Sequence, residues 1–279
     1  MTEPNSAASL SALLSAAARA AHELVDQPPH LLLDPDARAL CTQFSPSPLD
    51  YQLGQPDHPV MATARLATTT RAGFARTSLA TSGLHQCVLL GAGLDSSLYR
   101  GFDTDVWLVD RPEVLAWRTE LFAQAGVAES GHPVPADLAG DDLVPALVEA
   151  GLDLDKPVFV AALGLVMYLT DSDLQALLGR LDRLAVGSHL VFDSIVPAEL
   201  RDAAAQGYAA AIASSIGGAE PWHCTPHPDV LSDWLHTAGW RATQQVIEAD
   251  WVPDAFWAAN PGLTRNRLSI LVEAVRSPE

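Results

Sequence analysis

A series of short apolar runs separated by helical patterns, the first run breaking on glycine, limits this sequence to few folds. Gln86 leads into Cys87-Val88-Leu89-Leu90, which closes on Gly91-Ala92-Gly93. An apolar run without polar alternation suits a strand buried on both faces, as in a parallel sheet. Further runs lie at 105–109, 132–135, 157–163 and 189–192, the last with Asp193 at its end, and 241–247 and 267–275 read as a closing antiparallel pair. Between them Pro112 opens a helix over 112–125, where its missing N–H costs nothing. Asp141 and Asp142 precede Leu143, Leu147 and Val148, as the helix dipole favours. Leu174, Leu177, Leu178, Leu181 and Leu184 form one stripe, with Asp171 or Ser172 as its cap and Gly187 as its end. Helices are also expected at 6–26, stopped by Pro28 and Pro29, at 60–82, ending on Gly83, at 197–215 and at 228–238. Residues 34–58, rich in Pro, Asp and Ser, read as an irregular connection. The alternation predicts an α/β, Rossmann-like fold: a mostly parallel seven-stranded sheet covered on both faces, the Gly91 turn opening its first βα unit. Residues 1–83 are expected as an N-terminal helical segment packed on a core of 84–279, with a helical insertion at about 196–238 after the fifth strand.

Composition narrows the partners. With 16 basic and 34 acidic side chains the formal net charge is −18. Such a surface repels phosphate backbones and acidic headgroups, so neither nucleic acid nor a membrane is expected as a partner, while a homo-oligomer is compatible. Charged residues at 18% against 48% hydrophobic argue against disorder. The cysteines, Cys41, Cys87 and Cys224, are widely spaced and form no CxxC pair, which argues against a zinc site or a disulfide framework. Cys87 reads as a small buried hydrophobe. The Ala-rich N-terminus carries Glu3 and no basic leader, and no stretch of ~20 apolar residues occurs, so a cytoplasmic protein is expected.

A strand running into two glycines lets the backbone approach a ligand with no Cβ in the way, although a tight βα turn gives the same pattern. Asp110 ends the next strand, where a carboxylate can accept from both hydroxyls of a ribose; it is equally placed to cap the helix that Pro112 opens. Dinucleotide sites put a third glycine where this chain has Ser96 and face a pyrophosphate with a helix N-terminus. The serine therefore favours S-adenosyl-L-methionine, which has no pyrophosphate, over a nicotinamide dinucleotide.

At these residues a resemblance is visible. Leu90-Gly91-Ala92-Gly93-Leu94-Asp95-Ser96-Ser97-Leu98-Tyr99-Arg100 resembles the first motif of the leucine carboxyl methyltransferase-like family. So do Val109-Asp110-Arg111-Pro112-Glu113-Val114, Pro135-Ala136-Asp137-Leu138, Leu163-Gly164-Leu165-Val166-Met167-Tyr168-Leu169-Thr170 and Glu220-Pro221-Trp222, in order. The resemblance implies a class I methyltransferase fold with S-adenosyl-L-methionine as cofactor. By it, Gly91, Ala92 and Gly93 line the methionine part, Asp110 holds the ribose, and Arg111 lies beside the adenine. Asp137 accepts from the adenine amino group, Leu138 supplies a backbone contact, and Leu163 touches the cofactor through apolar or backbone atoms. Arg71 is similar to the arginine that pairs with the methionine carboxylate, a task suited to a guanidinium fork; the other reading is a solvated helix arginine beside Arg65 and Arg76. Relatives that methylate a protein C-terminus carry a glutamate at the position of Leu163 and an N-terminal lysine, whereas Lys156 is the sole lysine here. The resemblance therefore implies a small-molecule methyl acceptor, a carboxylate or hydroxyl of a secondary metabolite.

Methyl transfer from a sulfonium is an in-line displacement, so alignment and exclusion of water are the protein's main tasks. Tyr168 is the candidate to orient the acceptor, or else a packed aromatic; His223 is the candidate base, or else a surface histidine. Asp193 is a weaker candidate. His223 and His227 have a metal-ligand spacing, but Pro226 interrupts any helix that would align them. Trp222, Tyr208 and Trp257 are expected to wall an acceptor pocket. Two other readings stand: a nicotinamide-dependent oxidoreductase, and a methyltransferase fold without transfer activity.

Overall fold

The computed structural model describes residues 4, 6–215 and 221–278; Glu220 of the last motif lies outside the described residues. Among the described residues, four helices precede the sheet. α1 (Ala7–Val25) starts at Ser6, whose hydroxyl accepts from the Ser9 N–H. Residues 34–58 are not an irregular connection, since they hold α2 (Pro35–Cys41) and α3 (Leu49–Gly54). Asp34 caps α2 by accepting from the Ala37 N–H at 3.0 Å, Pro35 starts it, and Ala37, Leu40 and Cys41 are buried against α1. Helices this short never complete the repeats that reveal a 3.6-residue period. α4 (Pro59–Ser82) ends on Gly83.

The sheet follows: β1 (Gln86–Leu90), β2 (Asp105–Asp110), β3 (His132–Pro135), β4 (Phe159–Ala162), β5 (His189–Ile195), β6 (Trp240–Ile247) and β7 (Ser269–Arg276). Its order is β3-β2-β1-β4-β5-β7-β6. β1 pairs in parallel with both β2 and β4, β3 with β2, and β5 with β4, while β7 runs antiparallel to β5 and to β6. The chain reverses its direction of build-up between β1 and β4, which places the crevice at the C-terminal ends of β1, β2 and β4.

One face of the sheet packs Val88, Val160, Leu190 and Val272 against α6 (Leu143–Glu149), α7 (Asp171–Arg180) and α9 (Pro228–Thr237). The other packs Leu89, Ala161, Val191 and Leu271 against Phe74, Ala75 and Leu79 of α4. α5 (Pro112–Ala125) joins α1 and α2 through Trp117, Leu121 and Phe122.

Several boundaries differ from expectation. α7 is capped by Thr170, in a reciprocal box with Asp173, rather than by Asp171 or Ser172, and it gives way to a 3₁₀ turn at Leu181–Arg183 well before Gly187. β4 ends at Ala162, because Gly164 turns the chain with φ +63°. β5 runs on to Ile195, so Asp193 sits inside the strand. A 3₁₀ turn at Ala198–Leu200 precedes α8 (Ala203–Ser215), and two short helices, α10 (Glu248–Trp251) and α11 (Asp254–Ala259), separate β6 from β7.

The largest departure is at the crossover from β1 to β2. The Gly91 turn does not open a βα unit, since residues 91–104 contain no helix. The Asp95 carboxylate accepts from both the N–H and the hydroxyl of Ser97, which bends the chain away from a helical path. Carbonyls that a helix would satisfy itself are met by arginines from other helices. Buried Arg118 of α5 donates to Ala92, Gly93 and Asp95, Arg19 of α1 to Leu94, and Arg76 of α4 to Ser97 and Arg100. Buried backbone acceptors require such partners, so this turn is built by tertiary contacts rather than by local propensity.

Candidate active site

A cavity of about 440 Å3 opens at the C-terminal ends of β1, β2 and β4. Each cofactor-site residue expected from the sequence lines it: Arg71, Gly91, Ala92, Gly93, Asp110, Arg111, Asp137, Leu138 and Leu163, and the two acceptor candidates, Tyr168 and His223, do as well.

The first wall is the Gly91 turn, held at its base by the Gly91 and Ala92 N–H groups donating to the Val109 carbonyl at 2.8 and 3.1 Å. Gly93 has φ +46°, and a Cβ there would come within 3.1 Å of the Ala12 Cβ, so glycine is what lets α1 close on the turn. Asp110 receives the Gly93 N–H on Oδ2 and the Arg111 N–H on Oδ1, both at 2.8 Å. It does not cap α5, whose N-cap residue is Arg111 with no side-chain cap. Burial pushes the Asp110 carboxyl above its ordinary range, opposed by the two N–H donors. A pair of ribose hydroxyls would add donors to the charged form of this group.

The second wall joins β4 to α4. Arg71 is not a solvated helix arginine: its side chain is 16% exposed and its Nη1 lies 3.5 Å from Asp193 Oδ2. The other oxygen of Asp193 accepts the Gly164 N–H at 2.6 Å. A Cβ on Gly164 would fall 2.5 Å from Arg71 Nη2, so the guanidinium lies directly on this turn. Arg65 and Arg76 are engaged elsewhere, Arg65 buried against both oxygens of Asp26.

The third wall follows β3. Asp137 is exposed, accepts the Ala139 N–H at 3.1 Å, and is positioned by its own N–H donating to Asp141. Leu138 is buried, and its carbonyl accepts from Arg180 at 3.0 Å. Arg111 is exposed, 3.7 Å from Glu113.

Tyr168 ends a 3₁₀ turn at Val166–Tyr168. The Met167 carbonyl of that turn accepts the His223 N–H at 2.8 Å, which brings the chain after α8 to the cavity mouth, with His223 exposed there. The expected aromatic wall is not assembled from the three residues named for it. Trp257 is buried against Leu66 and Phe256, and Trp222 and Tyr208 pack behind Tyr168 around Met167 and Leu268, none of them lining the cavity. Among the described residues no group of three or more His, Cys, Asp or Glu side chains is placed to hold a metal ion, and no helix is long and apolar enough to cross a membrane.

Sequence reasoning missed α1 as a wall of this site. Ala8, Ser11, Ala12 and Ser15 line the cavity with Arg19 at helical spacing, a stripe of mostly small residues that in sequence reads as an ordinary Ala-rich helix. It also missed Arg118, because nothing local marks an arginine as the brace of a turn 25 residues away.

A mostly parallel seven-stranded sheet with an antiparallel β7, and a glycine turn meeting a strand-end carboxylate at the switch point, is the architecture of the class I, S-adenosyl-L-methionine-dependent methyltransferases. The family model for leucine carboxyl methyltransferase matches residues 12–182. A candidate S-adenosyl-L-methionine-dependent methyltransferase of Mycolicibacterium paratuberculosis is 30% identical, the match covering 95% of this chain and 94% of that protein. A similar protein of Mycobacterium bovis is also 30% identical, over 92% of each chain. Among solved structures, a candidate methyltransferase from Thermobifida fusca superposes with a TM-score of 0.60 at 21% identity, covering 100% of this chain and 97% of that one. The chain belongs to the leucine carboxyl methyltransferase family and is an S-adenosyl-L-methionine-dependent methyltransferase.

The helix-free crossover from β1 to β2 bears on the nicotinamide reading. With no helix in residues 91–104, no helix N-terminus faces the cleft from this turn, and a pyrophosphate would have no dipole to meet it.

Proposed function

We propose that this methyltransferase is a cytoplasmic enzyme that moves the methyl group of S-adenosyl-L-methionine to an oxygen, carboxylate or hydroxyl, of a small-molecule acceptor. The observation that carries this reading is the single cavity shared by Gly91, Gly93, Asp110 and Asp137 at one end and Tyr168 and His223 at the other. Its volume is within the roughly 300–1,000 Å3 range of small-molecule sites. In this reading Asp110 takes the ribose hydroxyls, Asp137 the adenine amino group and Arg71 the methionine carboxylate, while the turn backbone at Gly91-Ala92-Gly93 flanks the methionine part. Arg111, Leu138 and Leu163 make the remaining contacts. The net charge of −18 speaks against a nucleic-acid acceptor.

The acceptor oxygen attacks the methyl carbon as the carbon–sulfur bond breaks, leaving a neutral thioether and a new ester or ether. A carboxylate, with pKa about 4, is already charged at neutral pH and asks only for orientation, which the Tyr168 hydroxyl supplies; a phenol, with pKa near 10, asks for a base. Paired screens of carboxylic and phenolic acceptors with labelled cofactor separate these cases. For a carboxylate acceptor, His223→Ala leaves the shape of the pH–rate profile unchanged and lowers turnover less than about tenfold. For a phenol acceptor it removes the acidic limb of the profile. No labelled product with either class, despite cofactor binding, would rule out small-molecule O-methylation.

A further inference from the structure

Behind Arg71 lies a second buried carboxylate that the reaction as described does not use. Glu248, the first residue of α10, is 5% exposed and is hydrogen-bonded through Oε2 to the Ser269 hydroxyl, at the start of β7. Ser269 opposes Ile195 on β5, and Leu271 opposes Asp193. Strand side chains alternate with a period of two, so Ser269 and Asp193 share the sheet face on which α4 lies. Glu248 therefore enters the space bounded by α4, β5 and β7 that Arg71 and Asp193 also occupy, and both of those charges act on it.

We propose that Glu248 is a positioning residue for Arg71: with Asp193 it forms a two-carboxylate seat behind the guanidinium, and the charge of that seat sets how strongly Arg71 pairs with the cofactor's carboxylate. The proposal rests on the reading of Arg71 as the partner of that carboxylate.

Burial, reinforced by Asp193, pushes Glu248 up to about 7, so it changes charge near neutral pH. The other charged groups around it are held by partners or lie at the far ends of their strands. On α4, Arg65 holds Asp26 and Arg76 holds the carbonyls of Ser97 and Arg100. β6 brings Arg241, near its opposite end, and β7 brings Glu273, held by His189 and Ser78, and Arg276 at its far end. Tyr208 of α8 interacts with Glu248, Arg71 and Tyr168, and burial pushes its hydroxyl up to about 12, so it stays neutral. Protonated Glu248 leaves one carboxylate against one guanidinium, and the seat is neutral. Ionised Glu248 gives two carboxylates against one guanidinium, and the net negative charge opposes an incoming carboxylate.

The test is calorimetric binding of S-adenosyl-L-methionine to the intact protein across pH, with Glu248→Gln and Ser269→Ala as variants. The wild-type dissociation constant should rise about tenfold from about pH 6 to about pH 8.5, while Glu248→Gln changes less than about twofold, cancelling any titration of the cofactor itself. Ser269→Ala removes a hydrogen bond that holds the Glu248 pKa down, so its transition should move to higher pH. It gives an independent reading if Glu248→Gln does not fold. A Glu248→Gln profile parallel to wild type, or an unmoved Ser269→Ala transition, overturns the proposal. A decarboxylated cofactor analogue, which keeps the positive charges and lacks the repelled group, shows no loss of affinity as pH rises if both readings hold. If at about pH 6 it binds as tightly as the cofactor, the Arg71 reading fails instead, whatever the variants do.

Discussion

Replacing Arg118 with alanine should lower the unfolding free energy by about 3–5 kcal/mol, the cost of removing a buried guanidinium on which several hydrogen-bond acceptors depend. Arg118 is fully buried, yet it lies outside the cavity. Its Nε pairs with Glu129 at 2.6 Å, Nη2 donates to the Tyr99 hydroxyl at 2.8 Å, and Nη1 donates to the carbonyls of Gly93 and Asp95 at 2.9 and 3.0 Å. Its guanidinium also stacks 4.2 Å from the centroid of the Phe122 ring. Alanine would leave several buried acceptors unmet and loosen the turn that carries Gly91 and Gly93. Lysine should rescue little, because a single ammonium cannot reproduce the planar fork. Denaturant unfolding reads the loss as a fall in midpoint at unchanged slope. A loss below about 1 kcal/mol would mean that the turn holds its shape without the arginine.

Asp110→Ala should weaken S-adenosyl-L-methionine binding by about 1–3 kcal/mol, or roughly 5–150-fold in dissociation constant. The ribose hydroxyls would lose their acceptor, and the Gly93 and Arg111 N–H groups would lose theirs. Asn should do little better. Both carboxylate oxygens already accept a backbone N–H, and an amide nitrogen in either place would face another donor. Unchanged affinity in Asp110→Ala would remove this carboxylate from the cofactor site.

How much of this was legible in the sequence depended on whether the cause was local. β1 announces itself, because Val88-Leu89-Leu90 can only be buried and Gly91 ends it; its bounds matched expectation. Asp110 ends its strand, as expected, and Asp137, which only the family resemblance singled out, lines the same cavity. The helix expected after the Gly91 turn was wrong, since Asp95 and Ser97 favour a bend whose cost is met by Arg19, Arg76 and Arg118 from distant helices. No window around residue 95 contains those arginines. The same holds for Arg71. Its sequence surroundings, with Arg65 and Arg76 in the same helix, fit a solvated face equally well, and only the meeting of α4 with the Gly164 turn and Asp193 removes it from water. Trp257 was misassigned for the opposite reason: an aromatic near the end of the chain carries no sign of which core it enters, and it packs with Phe256 and Leu66.

The cleft at Gly91, Gly93 and Asp110 is built for S-adenosyl-L-methionine and not for a pyrophosphate-bearing dinucleotide. Calorimetric titration of the purified protein with each ligand in turn separates the two. The geometry predicts saturable binding of S-adenosyl-L-methionine at one site per chain and no measurable heat from a nicotinamide dinucleotide. Saturable binding of the dinucleotide, with none of S-adenosyl-L-methionine, would contradict it.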